Sequence, residues 1–213
     1  LAPGAMLPSE FDLAAYYQVS QGTARKALTK LELSGLVERH QGKGTFVATT
    51  TDATSLFHFF RLRHRDGSQA IPQLLSETVR KRAATAREAG ALCMAGRAPV
   101  VEIMRVRGVD GVTMCAEQSV LDAAIFPGLK DRGTLPNALY PLYQRSYGVT
   151  IARAEEQLRA VVVPPAVANL LTLAADTPVM EVERLAIGIS GGVMEFRLSY
   201  YLTKNLHYAV SLR

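Results

Sequence analysis

The stretch that decides the fold runs from Leu7 to Ala48 and reads LPSEFDLAAYYQVSQGTARKALTKLELSGLVERHQGKGTFVA. It contains two short helical patterns that break at Gln18-Val19-Ser20, followed by two strand-like segments around Gly42-Lys43-Gly44. Two helices at a tight turn followed by a β-hairpin are the parts of a winged helix-turn-helix, an architecture that reads double-stranded DNA. The sequence therefore predicts a DNA-binding domain over residues 1–48.

The ends of the two helices carry their own signals. Ser9 is a natural N-cap, and Asp12 three residues later completes a weak capping box. Ser20 can cap the second helix, and Gly35 suits a helix end in the left-handed conformation. One more helix normally precedes this pair, whereas only residues 1–6 stand before it. We therefore expect the first helix of the domain to be missing from the sequence.

Composition narrows the class of protein. The 213 residues are 48% hydrophobic and carry a formal net charge of +5. A basic surplus fits nucleic acid or an acidic ligand, although an ordinary basic protein has it too. Cys93 and Cys115 lie in no CxxC or Cys/His cluster, so we expect no disulfide scaffold, metal or cofactor. The sequence shows no apolar run of about 18 residues and no signal peptide. We therefore predict a cytoplasmic protein without a membrane partner.

A small polar stretch, ATTTDATS, separates two regions of different character. We predict a linker over residues 49–55 and a second domain over residues 56–213. In that domain the patterns predict strands over 73–82, 99–109, 112–122, 149–163, 179–189, 193–202 and 208–212, and helices over 83–95, 137–146 and 165–173. Helices set between antiparallel strands indicate an α+β fold.

The N-terminal end of the second helix carries side chains suited to DNA. Ser20, Gln21 and Thr23 lie where a recognition helix meets the bases, and Gln21 matches the edge of adenine. Arg25 suits guanine or a phosphate, and the hydroxyls of Ser9 and Thr23 suit phosphates. Gly42 lets the hairpin tip approach the minor groove, with Lys43 reaching in. The alternative is that Ser9 and Ser20 are only caps and that Arg25 lies on a solvated face.

Three predicted strands of the second domain carry polar faces with charges of both signs. Alternation puts Arg105 and Arg107 on one side of their strand. The polar face of the second strand carries Glu117. The polar face of the third strand carries Glu195, Arg197 and Tyr201. If these faces line one cleft, the arginines would bind an anionic group and the glutamates would accept from hydroxyl or amine groups. The alternative is a solvated outer face with cross-strand salt bridges.

The residues from LPSEFDLA to GLVERHQGKGTFV resemble the DNA-binding domain of GntR-type bacterial transcription regulators. The resemblance covers residues 3–48 and implies that Arg25 and Gly42 contact DNA. The family commonly has arginines where this chain has Phe11 and Gln21, and those arginines contact DNA. The family's usual operator sequence is therefore not expected here.

The segments APVVEIMRVRGVDGVTMCAEQSVLD and TPVMEVERLAIGISGGVMEFRLSYYL, with the residues between them, resemble the UTRA effector-binding domain of the HutC subfamily. The resemblance runs from about Leu75 to the C-terminus and implies a fold like that of chorismate lyase, with a ligand cleft. It implies that Arg105, Arg107, Glu117, Glu195 and Tyr201 face the ligand. Ala138 stands where many relatives with sugar-phosphate effectors have serine, and Arg197 stands where a small residue is usual.

Together these observations predict a ligand-responsive transcription regulator, most simply a repressor that binds operator DNA as a homodimer and responds to a small anionic metabolite. The rival hypothesis is a chorismate-lyase-like enzyme that carries a DNA-binding head. The histidines at positions 40, 58, 64 and 207 are not paired with a Ser or Cys nucleophile in a recognisable motif, which favours the regulator.

Overall fold

A computed structural model describes residues 1–33, 35–50 and 61–210. The chain folds as two compact units, Leu1–Thr51 and Asp52–Arg213. Most of the predicted linker, residues 51–55, lies outside the described residues. Each unit has its own apolar core.

The first unit contains helices α1 (Glu10–Tyr17) and α2 (Gln21–Leu33) and the hairpin of β1 (Val37–His40) and β2 (Gly44–Val47). The predicted capping box is confirmed, because Ser9 Oγ accepts from the Asp12 N–H while the Asp12 carboxylate accepts from the Ser9 N–H. Gln18 has a left-handed backbone with φ 54°, which ends α1 and turns the chain toward α2. Helix pair and hairpin together confirm the winged helix-turn-helix.

The described strands of the second unit are β3 (Leu62–His64), β4 (Gln73–Ala83), β5 (Pro99–Val109), β6 (Val112–Asp122), β7 (Ile151–Val162), β8 (Pro178–Gly188), β9 (Val193–Tyr201) and β10 (Leu206–Tyr208). Six of them form one sheet in the order β4-β5-β6-β9-β8-β7, with every pair antiparallel. The two short strands, β3 and β10, form a separate pair. The predicted α+β fold is therefore confirmed.

Helices cover both faces of this sheet. Helices α3 (Ala86–Ala91) and α5 (Pro165–Leu171) contribute to apolar clusters on one face. Helix α4 (Leu139–Tyr147) packs on the opposite face, together with Phe126 and the 3₁₀ turn Leu129–Asp131. The β3–β10 pair contributes to a second apolar cluster on that same face, farther along the strands.

Most predicted elements match the observed ones to within two residues, but two elements differ by more. The helix predicted over 83–95 begins only at Ala86, because Thr85 is its N-cap in a capping box with Glu88, and it ends at Ala91. The strand predicted over 208–212 is Leu206–Tyr208 instead, since that is where the chain pairs with Leu62–His64. The partner strand β3 was not predicted, because three residues are too short to show a period.

Candidate effector site and DNA-contacting surface

The face of the sheet beneath α4 carries a row of alternating charges, here called the charged belt. Its members come from all six strands, and they lie between the two apolar clusters of that face. The belt consists of Glu77, Arg105, Arg107, Glu117, Glu156, Arg184, Glu195 and Arg197.

Strand register brings these residues together. Glu77 on β4 lies opposite Arg105 on β5, and Arg105 lies opposite Glu117 on β6. On the far side, Arg197 on β9 lies opposite Arg184 on β8, and Arg184 lies opposite Glu156 on the edge strand β7. Directly opposite residues share one face of a sheet, so charges far apart in sequence become neighbours.

Each arginine of the belt has a carboxylate partner. Arg105 Nη2 lies 2.5 Å from Glu77 Oε2, and Arg107 Nε lies 2.6 Å from Glu117 Oε1. Arg197 Nε lies 2.9 Å from Glu195 Oε1 and 3.0 Å from Ser119 Oγ. Arg184 Nη2 lies 2.5 Å from Glu156 Oε1. Four arginines therefore face four glutamates, and the belt is balanced in charge.

Burial decides between the two sequence-based alternatives for these polar faces. Arg105 is only 1% exposed, and Glu117, Glu195 and Arg197 are also buried. The solvated outer face is therefore wrong, although the cross-strand salt bridges that it included are present. A buried charge costs several kcal/mol unless it is paired and hydrogen-bonded, which explains why the belt is so fully paired.

Helix α4 adds two tyrosines above the belt. The Tyr143 hydroxyl donates to Glu195 Oε2 at 2.7 Å, and the Tyr140 hydroxyl donates to Glu195 Oε1 at 3.3 Å. Burial and the negative charge of Glu195 raise the pKa of Tyr140 to about 12 and that of Tyr143 well above its usual value. Both hydroxyls therefore remain protonated donors at neutral pH.

Arg184 links the belt to the last strand. It hydrogen-bonds the hydroxyls of Tyr140 on α4 and Tyr208 on β10. Tyr208 also donates to Glu156 Oε2 at 2.5 Å. Tyr201, a site residue predicted from the sequence, is buried beside Cys115 in the apolar cluster to which β3 and β10 contribute. Burial raises the pKa of the Cys115 thiol well above its usual value.

The segment before α4 covers the other end of the belt. Arg105 donates to the backbone carbonyls of Pro136 at 2.9 Å and Asn137 at 3.1 Å. Arg107 donates to the Asn137 carbonyl at 2.9 Å and to Asn137 Oδ1 at 2.5 Å. The Asn137 amide in turn donates to the Pro72 carbonyl at 2.8 Å. Because Pro136 and Asn137 are themselves half-exposed, they stand between the buried guanidiniums and solvent.

One polar atom in this region lacks a hydrogen bond. Glu117 Oε2 is buried without a hydrogen-bond partner among the described residues, and Arg197 Nη1 lies 3.7 Å from it. Burial opposes ionisation of Glu117, but the charges of Arg107 and Arg197 outweigh it and lower the pKa to about 2. The ionised oxygen can accept a hydrogen bond from a hydroxyl or ammonium group of a ligand.

The structure thus brings together five of the six effector-site residues named from sequence, and places Tyr201 at the rim of the group. It also adds residues that the sequence reasoning missed, namely Glu77, Asn137, Tyr140, Tyr143, Glu156 and Arg184. Glu77 and Glu156 lie on edge strands whose residues are mostly exposed or partly exposed, and only cross-strand register distinguishes them from solvated residues. Tyr140 and Tyr143 show the i, i+3 spacing of one helix face, which was a usable signal.

In the first unit, the candidate DNA-contacting residues lie on exposed surface. Ser20 Oγ accepts from the Thr23 N–H, and the two hydroxyls lie 2.9 Å apart, so Ser20 does cap the helix. Gln21 is exposed at the start of α2. The Arg25 side chain is 62% exposed, and its Nε donates to Glu10 Oε2 at 2.9 Å. Glu10, which the sequence reasoning missed, therefore orients Arg25 from the neighbouring helix.

The hairpin tip has the geometry of a wing. Gly42 has φ 72° and Gly44 has φ 117°, conformations that strongly favour glycine. They flank Lys43, which is exposed at the tip. Arg39 on β1 connects the hairpin to α2, because its guanidinium donates a hydrogen bond to Thr29 Oγ1 at 3.3 Å.

A winged helix-turn-helix joined to a sheet domain with a buried polar site defines a two-part regulator, in which one part reads DNA and the other binds a small molecule. Comparison with known families agrees: residues 72–207 match the UTRA domain, and residues 1–47 match the bacterial regulatory proteins of the gntR family. The chain belongs to the UTRA-type members of the gntR family, and it is a transcription regulator rather than an enzyme.

Curated transcription regulators match most of the chain. The chain is 28% identical to the HTH-type transcriptional regulator SmoD of Agrobacterium fabrum, covering 94% of this chain and 84% of the relative. It is 26% identical to the HTH-type transcriptional repressor NagR of Bacillus subtilis, covering 94% and 83%. Both matches therefore extend across the two units of this chain.

Solved structures agree on the fold. The ligand-binding domain of a GntR-family regulator from Bordetella bronchiseptica is 31% identical with a TM-score of 0.65, covering 73% of this chain and 98% of that one. PhnF from Mycobacterium smegmatis is 25% identical with a TM-score of 0.60, covering 100% and 94%. In the described residues of the present chain, no helix is both long and apolar enough to cross a membrane.

Proposed function

We propose that the protein is a repressor that binds a pseudo-palindromic operator as a homodimer, and that a small anionic metabolite bound at the charged belt changes its affinity for that operator. One head per protomer reads one half-site, which is how two-fold symmetric helix-turn-helix proteins match symmetric DNA. A regulator of this kind works where the chromosome is, which in a bacterium is the cytoplasm.

The observation that carries the effector site is the charged belt itself. A sheet face packed between two apolar clusters gains stability from apolar side chains, and six buried and two partly buried charges there need another explanation. Guanidinium groups suit carboxylates and other planar anions, and Glu117 offers an acceptor that a ligand hydroxyl or amine would satisfy. A hydroxy acid or an amino acid carries both kinds of group.

The DNA side of the proposal rests on α2 and the hairpin tip. Gln21 and Arg25 are exposed on a helix that can enter the major groove, and Lys43 stands at the tip of a wing that can reach the minor groove. Ser9, Ser20 and Thr23 are proposed to contact phosphates with the parts of their hydroxyls that capping leaves available. Gly42 lets the wing backbone approach the DNA.

An effector can act only if it binds one arrangement of the two heads more tightly than another. We propose that the signal passes through the predicted linker, residues 49–55.

DNase footprinting upstream of the protein's own gene tests the proposal. Adding pools of hydroxy acids, amino acids and sugar phosphates should identify one pool that changes the footprint, and we expect an acid-bearing pool rather than the sugar phosphates. A footprint that no anionic pool alters would refute the anionic effector, and the absence of any footprint would refute the repressor.

A further inference from the structure

The segment Thr134–Ala138, here called the plug, lies over the guanidiniums of Arg105 and Arg107. We propose that the plug occupies the place of the effector's carboxylate, and that the effector binds by displacing it. The inference rests on the proposed function, since it concerns the same site.

The first argument is the pattern of contacts. Three neutral oxygens, the carbonyls of Pro136 and Asn137 and the side-chain Oδ1 of Asn137, receive four hydrogen bonds from the two guanidiniums at 2.5–3.1 Å. The Asn137 carbonyl accepts from both arginines. A cluster of oxygens around two guanidinium forks is the arrangement that a bound carboxylate provides.

The second argument is that these oxygens carry no charge. Burial, and after it the like charge of Arg107, lower the pKa of Arg105. Each of the two guanidiniums already pairs with one glutamate, and its contacts with the plug add hydrogen bonds but no further opposite charge. A carboxylate in their place would keep hydrogen bonds from the same guanidiniums and add the attraction between opposite charges, which is stronger in a buried site than in water. An incoming carboxylate would therefore outcompete the plug oxygens at the same donors.

The third argument is that the plug can move without unfolding the sheet. Pro136 and Asn137 are half-exposed, and Gly133 before them has φ 73°, a conformation that glycine adopts without strain. Besides the hydrogen bonds from the two arginines, two polar contacts among the described residues hold the plug. The Asn137 amide donates to the Pro72 carbonyl, and the Leu135 N–H donates to Glu77 Oε1. Leu135 is buried in the apolar cluster under α4, so displacement of the plug would be felt by that helix.

The experiment measures binding of succinate, a simple dicarboxylate probe, and of its neutral counterpart succinamide by calorimetry on the full chain. Asn137→Ala removes the Oδ1 contact with Arg107 and the contact with Pro72, and so weakens the internal competitor. We expect succinate to bind Asn137→Ala about tenfold more tightly than the native chain, since at least one hydrogen bond to a charged donor is lost from the plug. Asn169→Ala, at an exposed position of helix α5, is the matched control and should leave succinate affinity unchanged.

A merely structural role for Asn137 predicts no gain in affinity, that is, equal or weaker binding of succinate. Amide hydrogen exchange supplies the second readout: succinate, but not succinamide, should speed exchange at Leu135, whose N–H is released from Glu77. Equal succinate affinity of the native and Asn137→Ala chains, no succinate binding to Asn137→Ala, or equal binding of succinamide would each overturn the plug.

The two proposals fail separately. If succinate displaces the plug while operator affinity responds to no metabolite, the plug stands and the proposed function fails. If a metabolite changes operator affinity without faster exchange at residues 133–138, the function stands and the plug is wrong.

Discussion

The two units expose their charges in opposite ways. Arg25 in the first unit has a side chain that is 62% exposed and one ion-pair partner, Glu10, on the neighbouring helix. Arg105 in the second unit is 1% exposed and contacts Glu77 and the plug. An exposed arginine can meet DNA at little cost, whereas a buried arginine can meet a ligand only if something else gives way. The comparison suggests that DNA binding uses a surface already formed, while effector binding requires rearrangement.

The largest effect that separates the two regions is on stability. Arg197→Ala should lower the free energy of unfolding by about 3–5 kcal/mol, because it leaves buried carboxylates without their partner. The exposed Arg153 on β7, which pairs with Glu155, is the control, and Arg153→Ala should cost less than about 1 kcal/mol. Urea unfolding of both variants measures the difference. Similar losses would mean that the belt is not energetically distinct from the surface.

The second expected effect is on how the free energy of unfolding depends on pH. The pKa of Glu117 is about 2 in the folded chain, below its ordinary value of 4.5, so ionised Glu117 stabilises the fold above about pH 5. That contribution, on the order of 3 kcal/mol, is lost as the pH falls from about 5 towards 2. Glu117→Gln should flatten the pH dependence of unfolding over this window, whereas Glu155→Gln at an exposed site should not. Parallel pH profiles for the native chain and Glu117→Gln would contradict the assignment.

Operator affinity tests the exposed surface. Arg25→Ala should weaken operator binding by about 1–3 kcal/mol, the cost of a good base contact, without changing the stability of the second unit. Arg159→Ala removes the same charge from an exposed site on β7 and serves as the control for net charge. Gel-shift titrations at moderate salt measure both variants. If Arg25→Ala and Arg159→Ala bind equally well, Arg25 does not read DNA.

The smallest effect concerns which base is preferred. Gln21 pairs best with adenine, whereas arginine at this position pairs best with guanine. Gln21→Arg should therefore change the preferred base at one operator position while leaving the others as they are. Selection from a randomised operator pool measures this. Identical preferences at every position would show that Gln21 is not a reader.

The helices and the hairpin of the first unit were predicted closely from the sequence, because caps, turn residues and glycines act locally. Ser9, Gln18 and Gly42 each leave a signature within four residues of where they act. The belt was predicted only in part, because its pairs are far apart in sequence: Arg184 pairs with Glu156 on the neighbouring strand, and Arg105 pairs with Glu77, in both cases 28 positions away. Alternation placed Arg105 and Arg107 on one face, but only the observed register and the packing of α4 show that this face is buried.

The plug could not be predicted for a related reason. Its contacts are made mainly by the backbone carbonyls of Pro136 and Asn137. Every residue has a backbone carbonyl, so residue types do not indicate which carbonyl will bind an arginine. The position of such an oxygen depends on how α4 packs on the sheet, which is a tertiary property.

The most direct test of the account is operator affinity, measured by fluorescence anisotropy, with and without the metabolite identified by footprinting, for the native chain and for Arg107→Gln. We predict that the metabolite shifts the affinity of the native chain, and that Arg107→Gln binds the operator as well as the native chain does but no longer responds. An undiminished response in a folded Arg107→Gln would contradict the claim that the charged belt is the effector site.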